Sequence, residues 1–262
     1  MVNFELKSRY DYEDLLRVIH ILRSPGGCPW DQEQTHQSIR REFLEESYEA
    51  VEAIDTGDVA LLREELGDVL MQVVFHADIE ADAGRFTMAD VVDEITKKMI
   101  YRHPHVFADV QADNTEQVLV NWEQLKQTEK GQKTATDTLD SVARTLPQLW
   151  RAEKIQKKAA KAGFDWADIS GALDKLEEET AELREAVASG SGVEEELGDV
   201  LFAAVKVARF AGVDPEVALS ATCEKFIRRF RAVEEAVTAR GAAMKDLPLE
   251  KLTALWNQAK GQ

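Results

Sequence analysis

The heptapeptide EELGDVL occurs twice in this chain, at Glu64–Leu70 and at Glu195–Leu201. Each copy sets a glutamate and an aspartate three residues apart, Glu65 with Asp68 and Glu196 with Asp199. On a helix, that spacing puts both carboxylates on one face. Shortly upstream, Glu46 with Glu49 and Glu179 with Glu182 repeat the spacing. A short loop through Gly57 would make the first two helices antiparallel neighbours, so that four carboxylates converge as ExxE against ExxD. The second half would do the same. Four uncompensated carboxylates repel and raise one another's pKa. A hard divalent cation that prefers oxygen, Mg²⁺ above all with Mn²⁺ as a substitute, removes that penalty. Gly67 and Gly198 each cost about 1 kcal/mol of helix stability relative to Ala. A close helix approach, or a bulky ligand beside the acids, would account for them.

A single ExxE is most often a solvated face. Two such pairs on adjacent helices, present in both halves, argue against that reading. Glu45, Glu64 and Glu177 read as surface or supporting groups, as does Glu178 on spacing alone. A di-iron carboxylate site would need Glu-x-x-His on two helices. The one such spacing, Glu33 to His36, lies outside the acidic helices and has no counterpart in the second half. His103 and His105 straddle Pro104, which suits a turn better than a metal site.

Cations recur with the acids. Lys98 with Arg102 and Lys225 with Arg229 are i, i+4 pairs, and Lys126 and Lys260 each follow a tryptophan, Trp122 or Trp256, by four residues. Such cations suit phosphate oxygens, and the tryptophans suit either base stacking or the core. GxxxxGK[ST] and GxGxxG are both absent, which excludes the Walker and Rossmann routes to nucleotide binding.

Helical periodicity carries these residues. Leu15, Ile19 and Leu22 mark one helix with Asp11 or Asp14 near its start, and Leu44, Tyr48, Val51 and Ile54 mark another that ends at Thr56-Gly57. Asp58 caps a third, and Thr87 with Asp90 resembles a capping box that opens a fourth. A further helix runs through Val118, Trp122 and Leu125. Later helices are expected over 142–162, 169–188 and 193–211, and from Asp214-Pro215 onward. No stretch alternates convincingly enough for a sheet, so the chain reads as all-α. The halves also pair with one another: Glu46 with Glu179, Glu65 and Asp68 with Glu196 and Asp199, KMIYR with KFIRR, and WEQLK with WNQAK. An internal duplication follows, with domains at 1–127 and 141–262 and a polar linker at 128–140.

The net charge of −17 repels nucleic acid and anionic membrane, so neither is an expected partner. No apolar run is long enough to span a bilayer, and Met1–Lys7 has no signal-peptide core. Cys28 and Cys223 fit no metal spacing, which points to free thiols in a reducing cytoplasm.

EESYE with EELGD, GCPWD at Gly27–Asp31 and RHPHVF at Arg102–Phe107 together resemble MazG, a family of nucleoside triphosphate pyrophosphohydrolases. The resemblance covers nearly the whole chain, including its tandem layout. It implies two helical-bundle domains that dimerise, and Mg²⁺-dependent cleavage of a nucleoside triphosphate to monophosphate and pyrophosphate. The metal ligands it implies are Glu179, Glu182, Glu196 and Asp199, with Glu46, Glu49, Glu65 and Asp68 as counterparts. Lys175, Lys225, Arg229, Trp256 and Lys260, with Lys98, Arg102, Trp122 and Lys126, would contact substrate. Glu178 or Glu179 would orient or deprotonate the attacking water. Some tandem relatives carry a lysine just ahead of the second ExxD, where this chain has Ser189–Val193. Base preference is expected to be broad and the role one of clearing nucleotide pools. The alternative is a non-catalytic helical scaffold or regulatory nucleotide-binding module.

Overall fold

The computed structural model describes residues 4–108, 114–129 and 131–260. Residues 1–3 of the N-terminal segment considered above, and Lys130 within 128–140, lie outside the described residues. Helices form two compact units, Met1–Lys126 and Gln127–Gln262, and no strand occurs among the described residues. None of the described helices is long and apolar enough to cross a membrane.

The first unit contains α1 (Tyr12–Arg23), α2 (Pro29–Glu33), α3 (Arg40–Thr56), α4 (Val59–Asp82), α5 (Met88–Arg102), α6 (Pro104–Phe107) and α7 (Thr115–Glu129). Asp11 caps α1 with a full capping box, and Thr87 does the same for α5. Gly57 at φ 69° closes α3 in the left-handed region that other residues avoid. Asp58 then accepts from the amides of Ala60 and Leu61 to start α4. That tight reversal makes α3 and α4 an antiparallel pair, with α1 and α5 packed on α4. Ile19, Ile39, Val74 and Phe75 form its core.

The second unit contains α8 (Ala135–Asp140), α9 (Gln148–Lys161), α10 (Ile169–Ser189), α11 (Val193–Phe210), α12 (Pro215–Thr238) and α13 (Leu249–Ala259). Helices α10 and α11 repeat the antiparallel pair, joined through Gly190 at φ 72° and Gly192 at φ 79°. Helix α9 packs on α11, while α12 joins α13 around Val233, Val237 and Leu255.

Three local expectations change. Residues 135–140, inside the expected linker, are helical because Thr134 and Asp137 form a capping box. The helix expected from Val142 starts at Gln148, since Pro147 disfavours helix at the residue before it. The RHPHVF turn contains the four-residue helix α6, which Pro104 initiates.

Candidate metal and nucleotide site

In the first unit, α3 supplies Glu46 and Glu49 and α4 supplies Glu65; one oxygen from each lies within 4.8 Å of the others. In the second, α10 supplies Glu179 and Glu182 and α11 supplies Glu196, with the same convergence. Asp68 and Asp199 stand outside these triads. Each sits nearly one turn further along its helix, on a side chain one methylene shorter than Glu. Asp68 is still near enough for its charge to act on Glu46 and Glu65.

Electrostatics differ between the two cradles. Burial, followed by the charges of Asp68 and Glu49, raises the Glu46 pKa; burial and then Glu49, Asp68 and Glu46 raise that of Glu65. Glu65 is only 6% exposed, so its charge has little water to lean on. The buried acid of the second cradle is Glu179, the counterpart of Glu46; it is 7% exposed but has a cation, since Lys175 Nζ lies 2.7 Å from Glu179 and 2.8 Å from Glu178. Those two carboxylates hold the Lys175 ammonium well above its usual pKa. Glu182 is raised, first by its hydrogen bond with Glu179 and then by burial. Clustered, partly buried, all-oxygen anionic donors fit a hard divalent cation.

The two glycines do not serve helix approach within the chain. A Cβ at Gly67 or Gly198 would meet nothing within 4 Å among the described residues. Close approach by another described helix of the same chain is therefore not what these glycines serve.

The expected substrate residues lie on other helices. Arg102 sits over the Trp122 ring at 5.7 Å, and His103 meets the same ring edge-on at 4.8 Å. Lys98 is half-buried on α5, and Lys126 is half-buried on α7. Trp256 packs against Phe226 at 4.9 Å and borders the Val233–Val237–Leu255 cluster, while Lys260 is exposed at the end of α13. Among the described residues, Lys98, Lys225, Arg229 and Lys260 form no ion pair, so the structure does not join them to the acids.

Two other polar clusters are already neutralised. Arg23 bridges Asp78 at 2.5 Å and Asp82 at 3.0 Å, beside His20. His36 turns away from any pairing with Glu33, towards His76 at 2.7 Å and Glu80 at 2.5 Å. Arg85 also binds Glu80, whose pKa falls to about 2 through these hydrogen bonds.

Sequence reasoning missed a third group. Lys206 on α11 pairs with Asp165 at 3.0 Å, and Arg209 reaches the same carboxylate at 2.5 Å. Together they anchor the Gly163-Phe164-Asp165-Trp166 turn. GFDW stands before the second ExxE much as GCPW stands before the first, and that parallel was the signal available in the sequence.

Comparison with known proteins agrees with this architecture. The model of the MazG nucleotide pyrophosphohydrolase domain matches residues 34–107 and 169–233, one segment around each cradle. The chain is 47% identical over 253 residues to the nucleoside triphosphate pyrophosphohydrolase of Escherichia coli K12, covering 95% of this chain and 96% of that one. It is 44% identical over 250 residues to the nucleoside triphosphate pyrophosphohydrolase/pyrophosphatase MazG of Thermotoga maritima, covering 95% and 96%. A Mycobacterium tuberculosis nucleoside triphosphate pyrophosphohydrolase is 43% identical over 153 residues, 58% of this chain and 45% of its own length. With the acid cradle present twice and matches of this extent, the chain belongs to the MazG nucleotide pyrophosphohydrolase family.

Proposed function

We propose that this chain hydrolyses ribo- and deoxynucleoside triphosphates to the monophosphate and pyrophosphate with Mg²⁺, tolerates different bases, and serves to clear nucleotide pools. The observation that carries this reading is the convergence of Glu179, Glu182 and Glu196 beside a cation, Lys175. Mg²⁺ held there, with Asp199 completing the set, supplies charge neutralisation for the triphosphate and the leaving pyrophosphate. Phosphoanhydride hydrolysis depends more on such neutralisation and on an in-line water than on a covalent nucleophile.

Lys175 has a two-stage role. It neutralises Glu178 and Glu179; with a divalent cation held by Glu179, its ammonium would be available to phosphate oxygens. Glu178, half of that salt bridge, would then be available to hold the attacking water and accept its proton. Lys225 and Arg229, without ion pairs of their own, bind phosphate oxygens by charge-assisted hydrogen bonds.

The protein works as a homodimer. Leu197 and Leu201 on α11 and Val217, Phe226 and Ile227 on α12 are all more than 40% exposed, and exposed apolar surface of this kind supports that reading. The cytoplasm is the setting that supplies its substrates.

The test is direct. Full-length protein is incubated with each nucleoside triphosphate and Mg²⁺, and phosphate is assayed with and without inorganic pyrophosphatase. Phosphate only when pyrophosphatase is added is expected. Phosphate without it means that a different bond is cut, and none in either arm favours the scaffold reading.

A further inference from the structure

We infer that a cavity between α9, the Gly163–Trp166 turn and α11 receives the base of the nucleotide, an assignment that deepens the proposed activity and rests on it. The cavity measures about 470 Å³ and is lined chiefly by Ile155, Ala159, Trp166 and Phe202, with Gln156 and the ion-paired Asp165 and Lys206 as polar groups. Flat, apolar walls with a few polar groups are what a heteroaromatic ring requires.

Gln156 is 1% exposed, and its amide N–H donates to the Phe202 carbonyl at 2.8 Å. Only the nitrogen end of the amide can satisfy that carbonyl, so the oxygen is turned the other way. That oxygen is buried and has no hydrogen-bond partner among the described residues. Buried acceptors are seldom left so in a finished site, and a ring or exocyclic N–H of a base would satisfy this one after a small rotation of the amide. Lys206 places its ammonium 5.0 Å from the Trp166 ring centre, so cation and ring share one wall. Trp166 is seated deliberately: a Cβ at Gly171 would come within 2.4 Å of its Cδ1.

Position supports the assignment. Phe202 and Lys206 follow Asp199 by three and seven residues on α11, on the face that carries Glu196 and Asp199. They lie roughly 5 and 10 Å along the helix from Asp199, the span from the phosphates to the base of a nucleotide. At the position of Lys206 the first unit instead has Phe75, seven residues after Asp68 and packed in the core. Every base presents an N–H donor next to an acceptor, so one free oxygen and one ammonium recognise a base without choosing among the four.

The test measures hydrolysis of four nucleoside triphosphates by full-length wild type, Gln156→Leu and Trp166→Leu, together with inhibition by inorganic tripolyphosphate. KM is expected to rise about tenfold for all four substrates, with the tripolyphosphate inhibition constant unchanged. Folded variants with unchanged KM overturn the assignment, and so does an equal rise in the tripolyphosphate constant. On wild type alone, nucleoside monophosphate should inhibit about tenfold better than ribose 5-phosphate, and equal inhibition also overturns it. Wild type that turns over none of the four overturns the proposed activity itself, and the pocket with it.

Discussion

The two cradles share a scaffold and differ where it matters. Four residues before Glu46 the N-terminal unit has Glu42; four before Glu179 the C-terminal unit has Lys175. Glu42 adds its charge to those raising Glu46, and one of its oxygens is buried without a partner among the described residues. Lys175 instead binds two carboxylates. Further along, Phe75 closes the N-terminal core where Lys206 borders an open cavity. One copy of the duplication is thus the more acidic, and the other carries its own balancing cation. An unbalanced cradle holds a cation tightly but brings none to phosphate. A cradle with its own lysine holds a cation less tightly and frees an ammonium when metal arrives.

The largest expected effect follows from the cations. Lys225→Ala should lower kcat/KM about 100-fold, whereas the matching Lys98→Ala should change it by less than about threefold, both read from steady-state rates. Equal losses would mean that both copies work. Lys175→Met is expected to lower kcat/KM about tenfold while tightening Mg²⁺ binding, as measured by calorimetry. Weaker Mg²⁺ binding would break the account of Lys175 as a cation displaced by metal.

Metal binding sharpens the contrast. A Mn²⁺ titration of the whole protein should show two classes of site, and Glu65→Gln should remove the tighter. At 100 times its dissociation constant, a bound cation adds about 2.7 kcal/mol of stability. Loss of the weaker class on that substitution would invert the comparison.

The smallest effect concerns pH without metal. Folded Glu46 and Glu65 have pKa values above the ordinary 4.5, so the folded state holds more protons than the unfolded one just above that pH. Stability therefore rises as pH falls through the folded values, and it is lower at pH 7. Glu65→Gln should raise the Tm of metal-free protein at pH 7 by a few degrees and flatten this dependence, as followed by circular dichroism. A lower Tm would show that the carboxylate is stabilised by something other than metal.

Much of this was legible in the sequence because it rests on local rules. Asp11, Asp58, Thr87, Asp168 and Asp214 cap helices with their side chains, and i, i+3 spacing brings Glu46 to Glu49 and Glu179 to Glu182. The capping box at Thr134 and Asp137 obeys the same rule, within surroundings so polar that they read as a linker. What was not legible depends on tertiary placement. Lys206 and Gln156 look like ordinary helix residues until α9, α11 and the Trp166 turn enclose one space. Nor does spacing reveal that Gly198 has open space beside it.

The most direct test compares nucleoside triphosphate turnover by Glu196→Gln and Glu65→Gln under saturating Mg²⁺. The C-terminal cradle as catalytic centre requires Glu196→Gln to lose about 100-fold or more of kcat while Glu65→Gln stays within about threefold of wild type. Retained activity in Glu196→Gln, with the loss falling on Glu65→Gln, would contradict it.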